Sequence, residues 1–295
     1  MANSMPIFRE ENLAYKREEG DGYLTIIPKY HPETRELMIN LTAAQILNLC
    51  NGGRNLEEIE KEMHTLYPLV PADSIKKDVL STVAKFSRMA VVEWKGENPF
   101  IDEKEEPISD LYSMVVGQEA DILKIHSFVL ASDVLSNSKG TKTKNYFMYH
   151  DPYIRASDYS EITLRFKLFN YIEEFFLLTS KGEICGLICI APSMYGCTAG
   201  TIKLIIVPKD YFVDLISYSE DNLPRIAIVP ISKVKIVESG RARIDRELKE
   251  CLLKHGYKTE AVLKNEFGFG GHLVLFSHIY EQAFIERLEQ HGEVT

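Results

Sequence analysis

The order of apolar and polar positions changes period along the first ninety-five residues. Gly22-Tyr23-Leu24-Thr25-Ile26-Ile27 is rich in β-branched and aromatic side chains and reads as a strand. Pro32-Glu33-Thr34 marks a turn, and Glu36 to Asn40 returns as a second strand, so the pair predicts a hairpin. The spacing then becomes helical. Thr42 is placed to cap a helix with Ile46, Leu47, Leu49 and Cys50 on its apolar side, ended by Gly52 and Gly53. Asn55, with Glu58 three residues on, is a capping-box signature opening a second helix. Its inward side would be Ile59, Met63, Leu66 and Tyr67. Pro68 and Pro71 interrupt the pattern, and Asp73 opens a third helix with Ile75, Val79, Leu80, Val83 and Phe86 inward. Val91 to Trp94 closes the segment, so strands followed by three short helices predict a winged-helix-like domain over residues 1–95.

Residues 96–109, GENPFIDEKEEPIS, are acidic with two prolines and read as a linker. From 110 to 295 helices and strands alternate. Helices are expected at Ala120–Leu135, Glu161–Tyr171, Tyr211–Tyr218 and Arg241–His255, the last stopped by Gly256 as a left-handed cap. Strands are expected at Phe175–Leu178 and Ile184–Ile190 across the turn Ser180-Lys181-Gly182-Glu183. Further strands are expected at Thr201–Val207, Arg225–Val229, Thr259–Leu263 and Leu273–Ser277, with Gly268–Gly271 a hairpin turn. The class is α/β (α+β), the second domain being built on a mixed sheet.

Composition narrows the function. The net charge of −9 argues against a protein that binds nucleic acid by neutralising phosphates. No segment approaches the run of about 18 apolar residues that a membrane span needs, and the N-terminus lacks a signal-peptide core, so a cytoplasmic protein is expected. The five cysteines are Cys50, Cys185, Cys189, Cys197 and Cys251. An odd number spread over a long chain does not read as a disulfide framework. The C-x3-C-x7-C spacing of three of them matches no zinc pattern, so no metal is expected.

The first domain resembles the PqqD-like fold, the peptide-recognition element of enzymes that modify ribosomally made peptides. The matching features are Asn40-Leu41-Thr42, Ile46-Leu47, Asn51-Gly52, Leu56-Glu57-Glu58-Ile59 and the closing Val91-Val92. The resemblance implies that a precursor's leader segment adds as a strand to the hairpin edge, at Leu37, Met38 and Ile39. The facing helix would then offer Lys76, Lys77, Leu80 and Lys85.

The second domain is similar in element order to the GNAT acyltransferase fold. Two helices precede the hairpin FFLLTSKGEICGLICI; the strand GTIKLIIVP runs into a helix; a late helix leads into HGYKTEAVLKNEFGFGGHLVLFS. The resemblance implies transfer of an acyl group from acyl-CoA to an amine, with the pyrophosphate on backbone N–H groups at Val207, Lys209, Tyr211, Phe212 and Val213. The family's glycines are absent from Val207 to Asp214, and Leu252 stands where its late helix carries tyrosine. Aminolysis of a thioester needs a base and an acid. Glu260, His272 and His278 are the candidate bases, and Tyr257 and Tyr280 the candidate acids; Glu260, Tyr257 and His278 are the preferred set. The expectation is a peptide N-acyltransferase whose partners are a precursor peptide and other maturation enzymes. The alternative is a non-catalytic adaptor that presents the peptide to them.

Overall fold

A computed structural model of the chain describes residues 4–20, 22–30, 36–100, 105–135, 145–192, 198–226, 231–240, 243–266 and 271–280. The chain divides into two compact units, Met1–Asp102 and Glu103–Val294.

The first unit contains β1 (Met5–Phe8), β2 (Leu13–Glu18), β3 (Leu24–Pro28) and β4 (Leu37–Ile39), then α1 (Leu41–Leu49), α2 (Leu56–Leu66), α3 (Ala72–Arg88) and β5 (Val92–Lys95). β3 and β4 pair antiparallel with Thr25 opposite Met38, as a hairpin requires, and β2 lies on the far side of β3. The two ends of the unit meet where β1 pairs antiparallel with β5. The expected Pro32–Thr34 turn lies outside the described residues.

Local chemistry explains the helix boundaries. The cap of α1 is Asn40, whose side chain accepts from the Ala43 N–H, and not Thr42 as expected; Thr42 lies inside the first turn. Asn is at least as good a cap as Thr because its carbonyl reaches the same orphan donors. At α2 the Asn55–Glu58 capping box forms in both directions. α3 begins at Ala72 after Pro71 without a side-chain cap bond, and Asp73 serves its positive end as a first-turn charge.

Ile26, Ile46, Leu47, Ile59, Val79 and Val83 are fully buried and make the core. Burying such a side chain contributes about 1.5–3 kcal/mol. Of the residues expected inward, Leu66 is 54% exposed, and Leu49, Tyr67 and Leu80 are half-buried. Three short helices around a small sheet leave each helix a narrow buried stripe, and these residues fall at its margin.

The second unit contains β6 (Glu106–Pro107), β7 (Ser113–Val116), α4 (Ile122–Ala131), β8 (Tyr146–His150), α5 (Glu161–Phe169), β9 (Glu174–Ser180), β10 (Glu183–Ala191) and β11 (Ala199–Pro208). It continues with α6 (Phe212–Ile226), β12 (Lys233–Ser239), α7 (Arg246–Lys254), β13 (Lys258–Leu263) and β14 (Leu273–Ile279). One mixed sheet runs β13-β14-β12-β11-β10-β9-β7-β6, with β8 also paired to β11. Among the described strands only β11 and β12 are parallel neighbours, joined through α6.

Several expectations change here. Arg225 and Ile226 are the last residues of α6, not the start of a strand, and α6 runs to 15 residues where a short helix was expected. The apolar stripe of α6, Phe212, Leu215, Ile216 and Leu223, carries it onto the sheet. Lys233–Ser239 and Tyr146–His150 are strands that the apolar pattern did not mark out. Part of the acidic segment expected as linker, Glu106–Pro107, pairs with Ser113 and Met114 at the sheet's edge. Cys189 is a buried core residue and Cys185 and Cys251 are half-buried; the described cysteines are all free thiols.

Candidate functional site

In the first unit, β4 is the last strand of its sheet. Leu37, Met38 and Ile39 alternate across it: Ile39 is buried beneath, Leu37 is half-buried, and Met38 is 73% exposed. A terminal strand presents a row of backbone donors and acceptors, which is the template for adding a further strand. On α3, Lys77 is exposed, while Lys76 and Leu80 are half-buried. Lys76 stands close enough to Glu60 of α2 to favour that carboxylate, against the burial that pushes it up. Lys85 is half-buried and its ammonium is held below its usual range by burial. A cavity of about 70 Å³ opens among Thr42, Ile46, Met63, Tyr67, Ile75 and Asp78, between the three helices.

In the second unit, the residues expected to hold a phosphate occupy the end of β11 and the start of α6. β11 pairs with β12 over only Ala199, Gly200 and Thr201. Beyond that point the two strands part, and β8 takes the vacated edge, with Leu204 opposite His150 and Val207 opposite Phe147. Tyr149 ties β8 across to β12. Its hydroxyl donates to the Val237 carbonyl at 2.8 Å and accepts from the Val237 N–H at 3.3 Å. The Lys209 N–H donates to the Asn145 carbonyl at 2.9 Å, and the Lys209 ammonium pairs with Glu247. Phe212 is fully buried against Phe147, and Tyr211 packs on Tyr112. Val213 alone of the set is exposed, at 51%.

A coenzyme thioester does not fit these residues as they stand. The edge of β11 and the first backbone donor of the turn are occupied by the chain's own residues 145–150. Further along α6, a cavity of about 390 Å³ is lined by Glu106, Asp214 and Asp221 together with Ile108, Met114 and Tyr218. Those three carboxylates have no ion pair with a described Lys or Arg, so the wall of α6 repels a phosphate. Burial, with Glu220 and Glu106 close by, raises the Asp221 carboxyl above its usual range.

The expected catalytic residues divide. Tyr257 and His278 come together on a group that sequence reasoning missed, Glu220 of α6. Glu220 is 4% exposed, and its partners come from two separate segments, residues 255–257 and 278–280. Tyr257 donates from its hydroxyl to Oε1 at 2.6 Å; His255 Nε2 and His278 Nδ1 lie 3.0 and 2.8 Å from Oε2. Tyr280 donates to the Glu220 carbonyl at 3.2 Å. Glu260 stays outside the group, on β13, ion-paired with Lys233, whose hydrogen bond holds its carboxyl below the usual range. His272 accepts the Asn265 N–H at 3.2 Å, likewise apart from it.

Two glycines shape this cluster. At Gly200 a Cβ would stand 2.8 Å from Leu223, so α6 lies directly on the strands there. Gly256 has φ +108°, which lets the chain turn from α7 into β13, and a Cβ on it would meet the His278 ring at 3.1 Å. Burial pushes the Glu220 carboxyl up, but the hydrogen bonds from His255, His278 and Tyr257 outweigh it and hold it below its ordinary range. The same bond raises the His278 imidazole, against burial. Burial and then Glu220 push Tyr257 well above its ordinary range.

The cluster and the expected phosphate residues are separated. Glu220 lies eight residues along α6 from Phe212, roughly 12 Å of helix. His278 pairs with Val234, which pairs with Gly200 near the start of β11, whereas Val207 lies near its end. Two signals in the sequence point to the cluster: His255 sits at the C-cap of an amphipathic helix, and Glu220 is the charged residue on the buried side of another. Nothing in their spacing, 35 residues apart, links them.

A second buried cluster is complete in itself. Tyr159 and Lys167 both reach Glu173 at 2.6 Å, and Lys167 lies 4.2 Å over the Tyr159 ring.

Among the described residues no helix is long and apolar enough to cross a membrane. No curated protein sequence matches the chain. Several solved acetyltransferases overlay parts of it. One is a putative acetyltransferase of the GNAT family from Desulfovibrio desulfuricans, at 12% identity and TM-score 0.40, covering 57% of this chain and 98% of its own. A second is the ribosomal-protein-S5-alanine acetyltransferase of Vibrio fischeri, at 11% identity and TM-score 0.43, covering 61% and 98%. A third is a spermidine N-acetyltransferase mutant from Vibrio cholerae, at 15% identity and TM-score 0.41, covering 61% and 99%. At that level of likeness they assign no residue of this chain. A family model does match the first unit: residues 29–89, from the end of β3 through α3, are similar to coenzyme PQQ synthesis protein D (PqqD).

Proposed function

We propose that this chain binds the leader segment of a ribosomally made precursor peptide through β4 and α3, and serves the modification of that peptide in the cytoplasm. The observation that carries the reading is the match of residues 29–89 to PqqD over the segment that ends its sheet in β4, with Met38 exposed on that strand. Backbone pairing along β4 supplies affinity, and the alternating Leu37 and Met38 read side chains on either face. A tethered core peptide then stays near the second unit at an effective concentration of about a millimolar, which relieves that unit of reading sequence.

For the second unit, the pairing of β8 with β11 favours the adaptor: a domain of acyltransferase-like element order that presents the peptide to other maturation enzymes. The rival is acyl transfer from acyl-CoA to an amine of the core peptide. It is supported by the order of elements alone and requires residues 145–150 to leave the edge of β11. In that rival, Tyr257 and His278 are the residues for proton transfer, with Glu220 and His255 added to them, and Glu260 stands apart.

The test is titration of the full chain with fluorescently labelled leader segments of candidate precursor peptides, followed by calorimetry with acetyl-CoA in the presence and absence of a bound one. Saturable leader binding with no heat from acetyl-CoA supports the adaptor. Leader binding with acetyl-CoA binding establishes the enzyme. Absence of leader binding overturns the reading as a whole.

A further inference from the structure

Glu220, His255 and His278 form a ligand set that the peptide-binding and adaptor readings leave unused. One oxygen or nitrogen from each lies within 4.8 Å of the other two, and the three come from α6, the end of α7 and β14. Glu220 Oε2 is the shared vertex, at 3.0 Å from His255 Nε2 and 2.8 Å from His278 Nδ1. In a tetrahedral site with bonds of about 2.0–2.1 Å, neighbouring ligand atoms stand about 3.3 Å apart. The two edges that meet at Glu220 Oε2 therefore need to open by only a few tenths of an ångström to admit an ion, and the third, between the imidazole nitrogens, is within 4.8 Å.

Its surroundings match a built site more closely than an accidental contact. The other carboxylate oxygen accepts from the buried Tyr257 hydroxyl at 2.6 Å, which fixes the plane of the carboxylate as an outer partner does around metal ligands. Tyr280 holds the backbone of Glu220 through its carbonyl, 3.2 Å away. The His255 and His278 rings are held edge to face, with centroids 5.3 Å apart, and Gly256 leaves room beside His278 that a Cβ would fill. No described Lys or Arg is ion-paired with Glu220. A carboxylate this buried calls for a compensating positive charge, which its two imidazoles supply only by holding a proton or sharing a cation.

We propose that Glu220, His255 and His278 bind one divalent transition-metal ion, of which zinc is the type, joining α6, α7 and β14. Two imidazole nitrogens and one carboxylate oxygen are the donor set of zinc and of non-haem iron or cobalt, whereas calcium and magnesium take oxygen. The site lies about 12 Å along α6 from the region where a coenzyme phosphate was expected, so it depends neither on peptide binding nor on a coenzyme held there.

The full chain is stripped with chelator and titrated with Zn²⁺ by calorimetry, and with Co²⁺ by absorption spectroscopy. The expected result is one ion per chain, with a cobalt ligand-field spectrum free of thiolate charge transfer. His255→Gln and His278→Ala each weaken binding at least about tenfold, while His126→Gln, on α4, leaves it unchanged. Circular dichroism identifies a variant that has lost its fold. Glu220→Gln, which keeps the size of the side chain but replaces one acceptor oxygen by an amide donor, is the second variant and also loses binding. No uptake by the stripped wild type, a thiolate spectrum, or binding indifferent to Glu220→Gln and to whichever histidine variants fold, overturns the proposal.

Discussion

Two strand edges, one in each unit, put the same backbone chemistry to opposite use. β4 ends its sheet with Met38 exposed, whereas the edge of β11 beyond Thr201 is taken by β8. An open edge attracts an extended peptide; an edge already paired satisfies its own donors and acceptors and attracts nothing. Among the described residues, the edge proposed to take a peptide is left unpaired, and the edge expected to face a coenzyme is covered.

The largest effect should come from cutting the tie across that second edge. Tyr149→Ala removes a fully buried ring and the hydroxyl bridging β8 to Val237, and should cost about 3–5 kcal/mol in a denaturant titration. If the variant folds and gains affinity for acetyl-CoA by calorimetry, β8 is a displaceable cover and the contrast between the edges is conditional. If it folds and stays indifferent, the difference is built in.

At the open edge, Met38→Asp places a charge where the side chain is already solvent-exposed. Stability should hold within about 0.5 kcal/mol, while leader affinity measured by fluorescence anisotropy should fall about tenfold, as for an interface residue worth more than ~1 kcal/mol. Unchanged affinity would move the peptide away from β4. Asn55→Ala removes the capping box of α2, a change remote from both edges. It should lower stability by about 1 kcal/mol and leave leader affinity untouched, so a large affinity loss would mean that α2 shapes the peptide surface.

The smallest effect is a pH dependence that separates the units. Around Glu220 the facing titratable groups are His255, Tyr257, His278 and Tyr280. The His278 imidazole is raised above its ordinary 6.5, chiefly by its bond to Glu220, so its stabilisation is complete below that value and is lost as pH rises through the folded-state value. The Glu220 carboxyl is held below its ordinary 4.5: burial, the largest influence, opposes this, and the bonds from His255, His278 and Tyr257 together prevail. Its stabilisation is present above 4.5 and is lost as pH falls through the folded-state value. Chelator-treated protein should therefore melt highest between these two values, and in His278→Ala the decline on the alkaline side should flatten. An identical decline in the variant would assign it to another group.

Much of the first unit was readable in advance because its signals are local. The hairpin follows from two β-rich runs either side of a turn, and the α2 cap from Asn55 and Glu58 three residues apart. The cap of α1 was misplaced by two residues because Asn40 and Thr42 are both capping types and only the backbone angles separate them. In the second unit the β9–β10 hairpin was equally plain, with Lys181 and Gly182 both at positive φ in the turn. The start of a strand at Arg225 failed because the apolar stripe of α6 continues to Ile226 and is carried through Pro224.

The sequence by itself determined the elements whose signals lie within a few residues of one another: the caps, the hairpins, the amphipathic helices and, through them, the likeness of residues 29–89 to PqqD. Only the tertiary structure decided which edges are open and which charges meet. β8 reaches β11 across more than fifty residues of chain, and Glu220 gathers partners 35 and 58 residues away. Such contacts follow from closing long loops over a shared core, and the free energy that closes them is spread through packing that no short stretch of sequence contains.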